Sequence, residues 1–236
     1  MGSLGRVGDV MERQPLQVGA LRRRQGPSSL LLLVHGRSGG EIPVELRELA
    51  VDLDSSRGAP VLLQALTAGD QEAALASELT AGAALTLVPL LLLPGTHVRH
   101  DLPAIAARWR ARLGPARRLW RLPFLGAWPR WQRLLAEVAA EAQRPERPVV
   151  WGHHPLEGPL AERYLAHLER VSGARCQSID AGAVPAAPYT QASMAGDSVA
   201  LPLALATSRL TELLGPPLLQ HPRLRQVLLD QLVALP

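Results

Sequence analysis

Short, uniformly apolar runs that break at glycine constrain what this chain can fold into more than any other feature. Leu30-Leu31-Leu32-Leu33-Val34 lies between Ser29 and Gly36, and the run from Leu85 to Leu93 ends at Pro94-Gly95. Runs of this length without polar alternation read as strands buried on both faces, the pattern of a parallel sheet covered by helices. Pro60 to Ala65 predicts another strand between them, and Trp120 to Leu125 a fourth. The intervening stretches predict helices over Ile42–Ala50, Gln71–Thr80, Leu102–Leu113 and Trp131–Ala142. Pro103 suits the first turn of the third of these, where its missing N–H costs nothing. Pro89 falls inside the Leu85–Leu93 run, and a proline in a central strand predicts a bulge or kink there.

After the linker Arg144-Pro145-Glu146-Arg147-Pro148 the pattern starts again. Val149 to His154, Ala174 to Ile179 and Ala200 to Ala206 read as strands. Leu160–Val171, Leu210–Leu214 and Pro222–Leu235 read as helices. Two correspondences support an internal duplication. Leu33-Val34-His35-Gly36 aligns with Trp151-Gly152-His153-His154 at an offset of 118 residues, and Val88 to Leu92 aligns with Leu201 to Leu205 at an offset of 113. The expected architecture is therefore α/β, with two similar lobes, each a small parallel sheet flanked by helices, and a cleft between them. Residues 29–143 form the first lobe, residues 148–236 a degenerate second lobe, and residues 1–28 an N-terminal arm.

Composition narrows the function classes. All 25 basic residues are arginine, and the net charge is +4. No arginine block is long and none is interleaved with aromatics, which argues against a nucleic-acid partner. One cysteine, Cys176, excludes an intrachain disulfide and a cysteine-based zinc site. It reads as a small buried apolar residue and fits a reducing, cytoplasmic setting. No apolar run reaches membrane-spanning length, so no membrane partner is expected. The first 26 residues carry Arg22-Arg23-Arg24 without an apolar core, which fits a flexible arm or a transit-like segment better than a secretory peptide. Neither a dinucleotide fingerprint nor a phosphate-loop lysine is present, and no Gly-x-Ser-x-Gly turn supports a hydrolase.

Chemistry concentrates at two of those strand ends. His35 follows the first apolar strand and His97 follows the third. Ligands of open α/β sheets bind outside the carboxyl ends of the strands. Imidazole is both a metal ligand and a base near neutral pH. Two imidazoles delivered to one pocket would bind a divalent ion while leaving coordination positions open.

These residues resemble the class II chelatases of tetrapyrrole biosynthesis, the sirohydrochlorin cobaltochelatases and ferrochelatases, in their long duplicated form. The likeness rests on Leu32-Leu33-Val34-His35-Gly36-Arg37-Ser38 and on the stretch from Val88 through Pro103, which contains Pro94-Gly95-Thr96-His97 and Asp101. The first motif differs in carrying Val34 before the histidine and in the order of Arg37 and Ser38. The resemblance implies insertion of Co²⁺ or Fe²⁺ into sirohydrochlorin, on the route to siroheme or cobalamin, by a lyase with His35 and His97 as metal-binding and catalytic residues. No permanently bound cofactor is implied, and the chain would act as a monomer or homodimer. Sirohydrochlorin carries many carboxylates, which arginine pairs well. Arg37, Ser38, Gly95, Thr96 and Arg99 are the expected substrate-binding residues. The departures in the first motif motivate an alternative: a non-catalytic tetrapyrrole- or metal-binding protein retaining the fold.

The remaining polar residues read more plainly. Gly95 is expected to supply a positive-φ turn or a close approach to substrate. Asp101 reads as a helix cap that also serves to orient a histidine. His100 is expected to be exposed, His167 and His221 to lie on the surface, and Glu41 and Glu45 to sit on a solvated helix face or line the cleft. His153 and His154 match the first-half histidine in position, but Leu210 stands where His97 has its counterpart, so they read as a non-catalytic remnant.

Overall fold

The computed structural model describes residues 27–79, 83–180 and 198–236. The N-terminal arm up to Gly26, with its three arginines, and the end of the helix expected at Thr80 lie outside the described residues.

Four strands form the first sheet: β1 (Ser29–Val34), β2 (Val61–Ala65), β3 (Leu85–Pro89) and β4 (Leu119–Arg121), in the order β2-β1-β3-β4. Three form the second: β5 (Val149–His153), β6 (Arg175–Ser178) and β7 (Val199–Pro202), in the order β6-β5-β7. Every pairing is parallel. The α/β reading with two parallel sheets flanked by helices is therefore correct. β5, β6 and β7 repeat β1, β2 and β3.

The strands are shorter than the apolar runs that announce them. β3 stops at Pro89, opposite Leu33, and the expected bulge is absent. Leu90 N–H donates to Leu33 O at 2.8 Å, so the Pro89 nitrogen faces the β4 side. There the pairing has already ended, with Leu122 N–H donating to Leu87 O. A proline costs nothing at a position where no partner strand awaits its N–H. β7 ends on Pro202 in the same way, and β4 keeps only Trp120 and Arg121 of the run expected at Trp120–Leu125.

The helices are α1 (Val44–Arg57), α2 (Glu72–Ser77), α3 (Leu102–Leu113), α4 (Pro129–Ala142), α5 (Pro159–Ser172), α6 (Arg209–Leu214) and α7 (Pro222–Val233). α1 runs a full two turns past its expected end at Ala50 and closes on Gly58 in the left-handed conformation.

Alternation along β1 sends side chains to two different cores. Leu31 and Leu33 join Leu62, Leu85, Leu87, Ile105 and Trp109 on the α3 face. Leu30, Leu32 and Val34 join a larger cluster that contains Leu49, Leu53, Trp131, Leu135, Trp151, Leu168, Leu224 and Leu228. That cluster draws on α1, α4, α5, α7 and both sheets, so the two lobes share one core. α4 lies on α5, and α7 returns from the end of the chain to lie on α1. Each Leu of β1 is fully buried, which stabilises the fold by about 2 kcal/mol per side chain.

Buried polar groups tie these layers together. Arg57, 8% exposed, donates to the carbonyls of Leu232, Val233 and Leu235 at the end of α7 and to Ser28 O beside β1. Glu45, 8% exposed, accepts hydrogen bonds from Thr207 and from Gln220, the latter at 3.4 Å. It therefore fastens α1 to the second half of the chain instead of lining a cleft. Burial alone would raise its pKa, but these hydrogen bonds carry it below the usual value. His167 is half-buried between α4 and α5, where its Nε2 lies 3.0 Å from Gln132 Oε1. His221 is also half-buried, 3.7 Å from Glu141, so neither is the free surface residue expected.

Candidate active site

Sheet order decides where the two histidines go. β1 and β3 are neighbours at the centre of the first sheet, and their chains leave in opposite directions, toward β2 and β4. Such a reversal of strand order opens a crevice at the carboxyl ends of the two strands. His35 directly follows β1, and His97 follows the short loop after β3. The structure brings them together: His35 Nε2 lies 3.0 Å from His97 Nε2, with ring centroids 4.5 Å apart and the rings perpendicular.

The other nitrogen of each ring is already committed. His97 Nδ1 donates to Asp101 Oδ2 at 2.5 Å, and His35 Nδ1 donates to Gly36 O at 2.7 Å. A carboxylate and a carbonyl are both acceptors, so each imidazole carries its proton on Nδ1. Both Nε2 lone pairs then point at the same small volume. Two facing lone pairs repel unless a positive charge lies between them. An ion bonded to both nitrogens at about 2.1 Å, a usual metal–imidazole distance, would see them at roughly 90°.

Local structure holds this geometry. Gly36 has φ +74°, and a Cβ there would fall 2.6 Å from Thr67 Oγ1 and 2.7 Å from Ala65 Cβ. Only glycine turns the chain there without clash or strain. Thr67 Oγ1 donates to Arg37 O, and Arg37 N–H donates to Glu41 O, bracing the loop. His97 to Asp101 form a single π-helical turn, closed by Leu102 N–H donating to His97 O and running straight into α3. Such turns gather at functional sites. Asp101 has helical φ and ψ and makes no side-chain cap, so its carboxylate serves His97 alone of its two expected roles.

The other expected site residues are spread around this pair. Arg37 is exposed and lies 3.4 Å from Glu41, which is itself exposed. Ser38 is exposed on the turn that follows, and Thr96 and His100 are exposed beside His97. Gly95 has no positive φ, contrary to expectation; a Cβ there would meet Leu156 Cδ2 of the second half at 3.3 Å. Arg99 Nη1 lies 3.4 Å from where a Cβ of Gly158 would stand. The loop after β3 thus packs against the loop after β5.

The hydrogen-bond register corrects the internal alignment. Val34 O accepts from Leu66 N–H as His153 O accepts from Ile179 N–H. Leu33 pairs with Pro89 as Gly152 pairs with Pro202. The central strands therefore match at an offset of 119, not 118, so His153 stands where Val34 does and His154 where His35 does. Burial agrees: His153 is 3% exposed, like a core strand residue, whereas His154 is exposed. Burial lowers the pKa of His153, against smaller opposing effects of its bond to His154 O and the charge of Glu169. Burial also lowers that of His154, and the charges of His35 and His153 lower it further. The first-half counterpart of Leu210 remains His97, and Leu210 itself is buried with Ile179 and Leu214. The usable signal in the sequence was the shared offset of 113 for both flanking strands, which pairs Gln64 with Gln177 as well as Pro89 with Pro202.

Cys176 is half-buried, and burial together with the Glu169 charge pushes its thiol up to about 12, so it stays protonated. Among the described residues no three of His, Cys, Asp and Glu stand ready to hold a metal ion together. Among the same residues no helix is long and apolar enough to cross a membrane.

The parallel sheet thus delivers two imidazole Nε2 atoms to its switch point. The model of the CbiX family, the class II chelatases, matches residues 29–142, just under half of the chain and the stretch that holds both histidines. The crystal structure of DR2241 from Deinococcus radiodurans, a multi-domain protein with structural similarity to chelatases and two additional novel domains, is similar in fold. The TM-score is 0.52 at 19% identity, over 89% of this chain and 55% of that one. The chain thus spans about half the length of this structural relative. No curated protein matches it.

Proposed function

We propose that the protein inserts a divalent metal, Co²⁺ or Fe²⁺, into sirohydrochlorin. The observation that carries this reading is the His35–His97 pair, with both Nδ1 atoms tied to acceptors and both Nε2 atoms converging at 3.0 Å. Neutral imidazole suits either metal. Two protein ligands leave most of the coordination sphere to water, which macrocycle nitrogens then replace; a closed four-ligand site would retain the ion. Insertion also requires that two pyrrole protons leave as the ion enters, which balances charge. Once the ion has moved to the macrocycle, the vacated Nε2 atoms are bases within reach of those protons.

The rim fits a carboxylate-rich substrate. Arg37 is exposed and pairs with an exposed carboxylate, Glu41, an interaction worth little and easily exchanged. Arg99, Ser38, Thr96 and Gly95 complete the substrate-binding set on this reading. The departures in the first motif favour one second reading, a protein that binds metal or tetrapyrrole without turnover.

A spectral insertion assay with sirohydrochlorin and each metal separates these. We expect turnover in the native protein, and its loss in His35→Ala and His97→Ala with melting temperature little changed. Arg37→Ala and Arg99→Ala should raise KM and weaken its dependence on salt, because exposed charge pairs are screened over roughly 8 Å at physiological ionic strength. Unchanged turnover in both histidine variants would sink the proposal. Metal binding without insertion in the native protein would favour the second reading.

A further inference from the structure

Charge is not spread evenly along the chain. Between Asp101 and Glu137 there are eight arginines and no Asp or Glu, so the rest of the chain is net acidic. This stretch folds as α3, β4 and the start of α4, where β4 ends the first sheet with no strand beyond it. Arg118, Trp120 and Arg121 are all exposed. Trp120 therefore does interleave with arginine, which corrects the reading of composition. Among the described residues neither arginine pairs with a carboxylate. Trp120, 55% exposed, is one of four large apolar side chains left open to solvent among the same residues.

The backbone of β4 is open as well. Leu85 N–H donates to Arg118 O at 2.9 Å, and Leu122 N–H donates to Leu87 O at 3.0 Å. The ladder thus turns the even-numbered residues of β4 toward β3, and the N–H and C=O of Leu119 and Arg121 point outward. Among the described residues nothing bonds to them. A short, charged edge discourages indiscriminate pairing. Two copies of this chain meeting edge to edge would set arginine against arginine, which is destabilising. Guarding an edge needs charge alone, however, and an open Trp beside Arg is the combination that carries binding energy at interfaces.

We infer that the open edge of β4 docks an extended acidic segment of another protein, added as a further strand. Its backbone would meet the outward groups of Leu119 and Arg121, its carboxylates would meet Arg118 and Arg121, and Trp120 would be the apolar anchor. Strand addition draws affinity from main-chain bonds and specificity from the alternating side chains. The alternation of donors and acceptors favours a polypeptide over a nucleic acid, because a phosphodiester backbone offers acceptors only and would leave both carbonyls unmet.

The test uses the full chain and a short labelled peptide of alternating Glu and Val, read by fluorescence anisotropy. The same peptide with Lys for Glu, a single-stranded oligonucleotide and phosphatidylserine vesicles are the comparators. The acidic peptide should bind best, more weakly as salt rises, and should slow hydrogen exchange at the Leu119 and Arg121 amides. Joint Arg118→Glu and Arg121→Glu should weaken it on the order of tenfold or more, with melting temperature unchanged, whereas Arg163→Glu on α5 should not. Arg121→Pro should bind more weakly than Arg121→Ala, since it also removes an outward N–H that β3 does not use. If the acidic peptide binds no better than the Lys peptide, or binds without protecting those amides, the inference fails. Preference for the oligonucleotide or the vesicles over the acidic peptide would overturn it in favour of a polyanion or a membrane surface.

Discussion

The short bond between His97 Nδ1 and Asp101 gives one carboxylate control of one imidazole of the pair. It selects the tautomer and aims Nε2 at His35, as acceptors behind metal-bound histidines do. The two residues sit four apart in a π-helical turn, and both are partly exposed. Packing therefore contributes little there. Asp101→Ala should weaken Co²⁺ binding by roughly 10–100-fold while leaving thermal stability nearly unchanged, measured by titration and by melting. An Asp101→Asn variant, which can offer either a carbonyl or an amide to Nδ1, should fall between the two. Loss of stability without loss of affinity would assign Asp101 to the fold instead of to the ligand.

At the level of elements, charged groups set how the helices dock. Arg57 closes the last turn of α7 by meeting its terminal carbonyls at Leu232 and Val233, with that of Leu235 just beyond, at the end of a helix where positive charge is favoured. Truncating it leaves those carbonyls without donors in a buried setting. Arg57→Ala should cost about 2 kcal/mol in denaturant unfolding, the scale of leaving buried acceptors unsatisfied. Glu72 plays the matching part for α2 and α3. It is 1% exposed and accepts from Gln64 at 3.0 Å and Arg108 at 2.8 Å. Burial alone would raise its pKa; the hydrogen-bond network of Asp70, Gln64, Arg108 and its own backbone outweighs that and holds it at about 2, below the ordinary 4.5. A carboxylate depressed in the folded state binds fewer protons than in the unfolded state, so its contribution is present above about 4.5 and lost as pH falls toward about 2. Denaturant midpoints across that window should fall steeply in the native protein and less steeply in Glu72→Gln. Equal slopes would assign acid sensitivity to other groups.

For the whole molecule, the shared core is the governing fact. Leu49, Leu53, Trp131 and Leu135 of the first half pack with Trp151, Leu168, Leu224 and Leu228 of the second. Neither sheet therefore has a complete hydrophobic covering of its own. Residues 29–142 produced alone would expose that face, an apolar patch larger than soluble monomers carry. We expect this fragment to aggregate or to bind a hydrophobic dye, and to be rescued by the remaining residues added in trans. A fragment that ran as a compact monomer on gel filtration, with native-like melting, would show that the lobes are independent.

The sequence by itself determined the fold class, because buried parallel strands need continuous apolar runs and nothing else in a chain looks like them. It determined that the two halves repeat, and it singled out His35 and His97, because glycine and proline mark strand ends whatever packs around them. Strand lengths were not legible: an apolar run continues past the last paired strand residue into buried loop, as Leu90 to Leu92 do after Pro89. Nor were the roles of Glu45 and Arg57, whose partners in the second half of the chain lie more than 150 residues away. The exchange of His153 for His154 as the counterpart of His35 is the sharpest case. A register shift of one residue leaves the sequence likeness almost unchanged, yet it turns a side chain from the core to the surface. Only the hydrogen bonds between neighbouring strands decide which way it points.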